Sequence, residues 1–161
     1  ICTYKFCIYM NVEVIIRASK PIAPRARIGL LIHMVHTHIQ ENLLESLKPF
    51  DISLAQFNVL RILKGYRDTA YMETLNERMI HKSSNTTRVV DKLIAKGLVE
   101  RQVCPENRRK IEVSITQNGI SLLTQLSKSI AEAEELLTQS FSLDELAQLT
   151  QLLNKFKPKT T

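Results

Sequence analysis

SSNTTRVVDKLIAKGLVERQVCPENRRKIEVSIT, residues 83–116, changes its hydrophobic period halfway along. In the first half Val89, Val90, Leu93 and Ile94 fall at helical spacing on one side, and Ser84, Asn85, Arg88, Asp91 and Lys92 fall on the other. One face can be buried while the other meets a partner. Ser83 or Ser84 is the expected N-cap, and Gly97 suits the left-handed residue that ends a helix. Beyond Gly97 the period drops to two. Val99, Arg101 and Val103 alternate with Glu100 and Gln102, and Ile111, Val113 and Ile115 alternate with Lys110, Glu112 and Ser114. That is the pattern of two strands with one buried face, and Cys104 to Arg109 makes the loop between them.

A polar-faced helix, a glycine and a hairpin tipped by Arg108 and Arg109 follow the layout of a winged helix-turn-helix, which points to DNA. A helix entering the major groove by its N-terminus needs short polar side chains first and a cation next. Ser83, Ser84, Asn85, Thr87 and Arg88 supply both. Asn85 can pair with an adenine edge, and Arg88 can take a guanine or a phosphate. Arginines on a hairpin tip can reach phosphates or a narrow minor groove. Lys82, Lys92 and Lys110 complete the expected DNA-facing set. Taken singly, the helix face reads sooner as a solvated face and the arginines as ordinary surface charge. The charge distribution favours the first reading. From Lys82 to Lys110 there are eight basic and three acidic residues, a net of +5, in a chain whose total is +6. Residues 117–161 carry four lysines against five acids, a net of −1. Positive charge confined to the reading element is the footprint of a nucleic-acid binder.

The stretch from about Ile52 to Gly119 resembles the MarR family of bacterial transcriptional regulators: TTRVVDKLIAKGLVER, then PENRRKIEVSIT, then NG look like that family's recognition helix, wing and exit. The resemblance implies a dimer that binds pseudo-palindromic operators, usually as a repressor, and that often releases DNA when a small molecule or oxidant acts on it. Three positions depart from the family pattern. Asn107 stands where an aspartate usually precedes the wing arginines, Cys104 where an aspartate often precedes the proline, and Asn76 where a small alanine is usual. The wing's orientation is then expected to rest on Asn107 or Glu106, and Asn76 needs hydrogen-bond partners if buried. Peroxide-sensing members carry a cysteine early in the first helix, at a position near Leu31 where this chain has none. Cys104 is expected to be an uninvolved surface thiol, the alternative being an oxidation-sensitive one beside the wing.

The flanks read as helices. SLAQ at Ser53 to Gln56 is a capping box for a helix turning Phe57, Leu60 and Leu63 inward and stopping near Gly65. A short helix with Met72, Leu75 and Met79 on one face follows, and His81 and Lys82 form the turn into the reading helix. Thr116 caps a long helix through Leu122, Leu123, Leu126, Ile130, Leu137 and Phe141. SLDE at Ser142 to Glu145 opens a last helix with Leu146, Leu149, Leu152, Leu153 and Phe156, stopped by Pro158. Upstream, SKPIAPRARIG is an extended lead-in to a helix from Ile28 to about Leu47. The expected fold is mainly α with a small β-hairpin wing. Residues 52–116 form the winged helix-turn-helix, 28–47 and 117–157 a helical dimerisation region, and 1–27 an N-terminal extension, of which residues 1–10 are excluded from the fold, with Met10 a candidate initiator.

At 161 residues, 44% hydrophobic and 24% charged, the chain can bury one core. No stretch approaches the roughly twenty apolar residues of a membrane helix. Three separated cysteines form neither a disulfide framework nor a metal pair, so the expected location is cytoplasmic. His33, His36 and His38 are expected to be interfacial rather than a metal site, and no cofactor is expected. The apolar terminal helices exceed what a lone winged-helix core can cover, which predicts a homodimer. With four glycines and no phosphate loop, an enzyme is the weakest class. A sequence-specific dimeric regulator, a repressor tuned by a small molecule, is the leading expectation. A winged-helix protein-interaction module and a nonspecific architectural DNA-binding protein are the alternatives.

Overall fold

The computed structural model describes residues 11–79, 85–105 and 107–156, which divide into two units at residues 42 and 43. In the first unit a short helix, α1 (Val12–Ile15), is capped by Asn11, and Arg27 pairs with Glu13 at 2.5 Å. The long helix α2 (Pro24–Leu47), whose residues from Leu43 belong to the second unit, begins four residues before the expected Ile28. Pro24 opens it, because the first turn needs no amide donor and the fixed proline torsion already suits a helix.

In the second unit the order is a 3-10 turn (Lys48–Phe50), α3 (Leu54–Gly65), β1 (Thr69–Tyr71), α4 (Met72–Arg78), α5 (Thr86–Ala95), β2 (Val99–Val103), β3 (Ile111–Ile115), α6 (Gln117–Thr138) and α7 (Leu143–Leu153). Both capping boxes form, at Ser53 with Gln56 and at Ser142 with Glu145. The Ser142 amide and hydroxyl both donate to Glu145, which holds that carboxyl below its usual range. α6 stops at Thr138, leaving Phe141 exposed in the connection to α7. α7 stops at Leu153, where the amides of Lys155 and Phe156 tighten onto carbonyls three residues back.

α3 is the centre of the core. Its Phe57, Val59, Leu60 and Leu63 are buried, and it packs on α4, α5, α6 and the sheet. Each such side chain is worth roughly 1.5–3 kcal/mol on burial. α5 meets it with Val90 and Leu93, and α4 with Leu75. Asn76 is exposed, so its departure from a small residue carries no desolvation cost.

The sheet has three strands, not two, in the order β1-β3-β2. β1 adds to the free edge of β3 through Thr69↔Ser114, Ala70↔Val113 and Tyr71↔Glu112. Three residues are too few for a two-residue period to show in sequence. Within its two strands the hairpin is buried only at the root, at Val99, Val113 and Ile115.

One junction locks α5 to the hairpin. Gly97 is left-handed (φ 66°), its amide bonds the carbonyl of Ile94, and the amide of Leu98 bonds that of Leu93. This double bond closes α5 with Leu93 and Leu98 both buried. Thr116 then ties the end of β3 to the same place: its hydroxyl donates to Gly97 O at 2.8 Å and its amide to Leu98 O at 3.0 Å. The same hydroxyl accepts from Gly119 N, capping α6. Gly119 is buried in this corner, and a Cβ there would collide with the Leu98 carbonyl oxygen and lie 2.7 Å from Ile115 Cγ1. Gly119→Ala is therefore expected to cost about 2 kcal/mol or more in urea unfolding. An unchanged midpoint would show that α6 can slide away from the junction.

Candidate nucleic-acid interface

α5 is capped by Asn85, whose Oδ1 accepts from Arg88 N at 3.2 Å, and not by Ser83 or Ser84. The helix starts one or two residues later than the sequence suggests because the asparagine side chain reaches the third helical amide by itself. Lys82, Ser83, Ser84 and the turn at His81 and Lys82 lie outside the described residues. The cap also changes what Asn85 can offer a base. A bidentate grip on adenine uses both amide atoms, and the cap takes one of the two lone pairs of Oδ1 and fixes the orientation of the amide that such a grip has to use.

The exposed side of α5 carries Thr87, Arg88, Asp91 and Lys92, and its buried side Thr86, Val90 and Leu93. Asp91 does not stand alone. Arg101 of β2 reaches it with Nη1 2.8 Å from Oδ1, so an acid on the exposed face of α5 is offset by a cation from the hairpin. Lys96 at the end of α5 is drawn the other way, onto Asp51 at 2.6 Å from its Oδ2 and onto the Asp51 carbonyl oxygen. The hydrogen bond from Lys96, reinforced by its charge, lowers the Asp51 pKa.

At the hairpin tip Asn107 does what the absent aspartate was expected to do, but through the backbone. Its Oδ1 accepts from Arg109 N at 3.1 Å, its amide bonds Cys104 O at 3.2 Å, and its carbonyl accepts from Lys110 N at 2.8 Å. The loop is folded on itself with Arg108 and Arg109 exposed. Glu106 lies outside the described residues. Lys110 points elsewhere, its Nζ 4.7 Å from the centre of the Tyr71 ring. Cys104 is not the surface thiol expected: it is 3% exposed, with Sγ 4.0 Å from the Tyr71 hydroxyl. β1, invisible in the sequence, supplies the tyrosine that covers it.

The local +5 charge is thus divided. Lys96 and Arg101 are paired with acids and Lys110 is stacked on Tyr71. Arg88 and Lys92 on α5 and Arg108 and Arg109 on the hairpin are exposed and make no ion pair with a described residue. β2 packs directly on α5, so these four cations sit on adjoining elements of one unit. The Arg101–Asp91 pair was the part hidden from sequence, since charge counting treats every side chain as free.

Comparison with known proteins identifies the family. The MarR family model matches residues 52–111. The multiple antibiotic resistance protein MarR of Escherichia coli is 33% identical over 132 residues, covering 81% of this chain and 91% of that protein. The HTH-type transcriptional regulator MhqR of Bacillus subtilis is 23% identical over 129 residues, 80% of this chain and 88% of MhqR. The crystal structure of a mutant E. coli MarR complexed with operator DNA aligns with a TM-score of 0.73 at 32% identity, covering 82% of this chain and 94% of that one. The winged helix-turn-helix fold, the capped reading helix and the extent of these matches agree, and the chain belongs to the MarR family of transcriptional regulators.

Proposed function

We propose that the protein is a homodimeric, sequence-specific DNA-binding regulator acting on a pseudo-palindromic operator, a repressor whose affinity is set by a small molecule, with no catalytic role and a cytoplasmic location. The observation that carries the DNA reading is the pairing of the exposed α5 face (Asn85, Thr87, Arg88, Lys92) with a hairpin held to it by Arg101 and Asp91 and tipped by Arg108 and Arg109. α5 reads the major groove from its N-terminal turn, and the wing tip reaches the adjacent minor groove. E. coli MarR, a third identical to this chain, has been captured on operator DNA. Lys82, Ser83 and Ser84 complete the reading turn in this proposal, and Lys110 acts on the backbone only if it leaves Tyr71.

The dimer rests on unspent apolar surface. Leu143 is 85% exposed, and Leu136, Leu149, Leu152, Leu153 and Phe156 are exposed with it; in the first unit Ile28, Ile32, Val35 and Ile39 are exposed along α2. Surface of this kind at both ends of the chain suits burial against a second copy. Among the described residues no helix is long and apolar enough to cross a membrane.

Selection of bound duplexes from a random library at physiological ionic strength tests the proposal. Enrichment of an inverted repeat with half-sites about one helical turn apart is the expected result. Retention without any enriched motif would indicate an architectural protein, and no retention at any salt a protein-interaction module. Replacing both Arg108 and Arg109 by alanine should weaken binding to every sequence and flatten the salt slope by about 0.9 per lost phosphate contact. An unaltered slope would remove the wing tip from the contact set. Asn85 separates its two roles by substitution. Asn85→Ser keeps a capping oxygen, so thermal stability should hold while preference at one position per half-site relaxes by about 1–3 kcal/mol. Asn85→Ala should lose the preference and also about 1 kcal/mol of stability. Intact selectivity in Asn85→Ser would confine Asn85 to capping.

A further inference from the structure

Beyond its buried root, the hairpin carries an apolar pair that none of the cations explains. Val103 and Ile111 are direct cross-strand partners, 57% and 41% exposed, whereas the corresponding root pair, Val99 and Ile115, is buried. β2 is an edge strand, and edges ordinarily protect themselves with charge rather than with open β-branched side chains. Strand residues two apart share a face, so Val103 lies on the face of Arg101, and Ile111 on that of Val113. Arg101 bonds Asp91 of α5 on that side, which therefore turns toward the reading helix. Lys110, of opposite parity to Ile111, lies with Tyr71 on the other face.

We infer that Val103 and Ile111 form a contact surface for the deoxyriboses of the DNA strand that runs between the groove read by α5 and the groove reached by the wing tip. This rests on the DNA-binding reading above. The placement follows from the duplex itself: a backbone ridge separates adjacent major and minor grooves, so a wing face that looks back toward α5 looks onto that ridge. Arg88 and Lys92 on α5, which packs on β2, and Arg108 and Arg109 at the hairpin tip are exposed and would draw phosphates to these adjoining elements. Between phosphates the ridge presents the C–H surface of sugars, which a valine and an isoleucine can cover without leaving a polar group unpaired. A protein partner fits less well. Two side chains flanked by four cations are a small patch beside the roughly 800 Å² per partner of a stable protein interface, and the charges favour a polyanion.

The test is the double variant Val103→Thr, Ile111→Thr in the full chain, which keeps β-branching while exchanging a methyl for a hydroxyl at Val103 and shortening and polarising Ile111. On the duplex enriched by wild-type selection, affinity should fall by roughly ten-fold. The salt slope should stay constant, because no phosphate contact is removed. Hydroxyl-radical footprinting, which reports sugar exposure directly, should lose the protection flanking each half-site while protection beneath α5 remains. Wild-type affinity with an intact footprint would overturn the sugar contact and leave the DNA reading standing, whereas a wild-type protein that retains no duplex would overturn both. A variant that becomes monomeric in sedimentation would assign the pair to contact between copies and overturn the inference. Should the double variant lose its thermal transition, Ile111→Val, which trims one methylene without a polar atom, is read by the same footprint, with weakened protection expected and full protection overturning it.

Discussion

The fold turns on the corner where α5 ends and β2 begins. Three backbone amides and one hydroxyl meet there: Gly97 and Leu98 close the helix onto Ile94 and Leu93, and Thr116 bonds both Gly97 and Leu98 from the end of β3. Only a glycine takes the left-handed turn at 97 without strain, and only a glycine at 119 lets α6 approach the Leu98 carbonyl. Helix, hairpin and the following long helix are therefore fixed at one point. A reading helix and a wing can act on one duplex only if their separation is constant, and this corner sets it.

Charge is arranged on that frame with economy. Of the basic residues between Lys82 and Lys110, two are used to hold the structure, Lys96 against Asp51 and Arg101 against Asp91. Both pairs are substantially exposed, so their value lies less in stability than in orientation. Arg101 also neutralises the acid that would otherwise sit on the reading face. What remains exposed is Arg88 and Lys92 on the helix and Arg108 and Arg109 on the tip, placed by a loop that Asn107 organises through hydrogen bonds to the backbone. In the proposed complex these four would supply the salt-dependent attraction and the short polar side chains of α5 the close fit.

Membership of the MarR family accounts for the order of elements and for the long flanking helices. The departures from the family pattern are absorbed locally. Asn107 replaces a charge-assisted hold with a tight turn, Asn76 faces water, and Cys104 is buried beneath Tyr71. Each substitution is compatible because its surroundings supply a hydrogen bond, solvent or a covering ring.

The sequence alone determined the elements whose signals are local. Periods of 3.6 and 2 marked α5, β2 and β3 because one face of each must be buried. Ser53, Thr116 and Ser142 marked helix starts because a cap bonds within three residues of itself, and Gly97 marked an end because its torsion is a property of one residue. The family resemblance, the basic segment and the apolar terminal helices were legible for the same reason. Tertiary structure decided everything that depends on residues distant along the chain. β1 exists because β3 offers it an edge, Arg101 is unavailable because Asp91 lies across from it, and Cys104 is covered by a tyrosine 33 positions away. Asn85 caps α5, with the helix starting at the buried Thr86, a register that the run of polar residues before it does not reveal. Patterns along a chain reveal what a segment can bury; which groups remain free to act is decided only when segments meet.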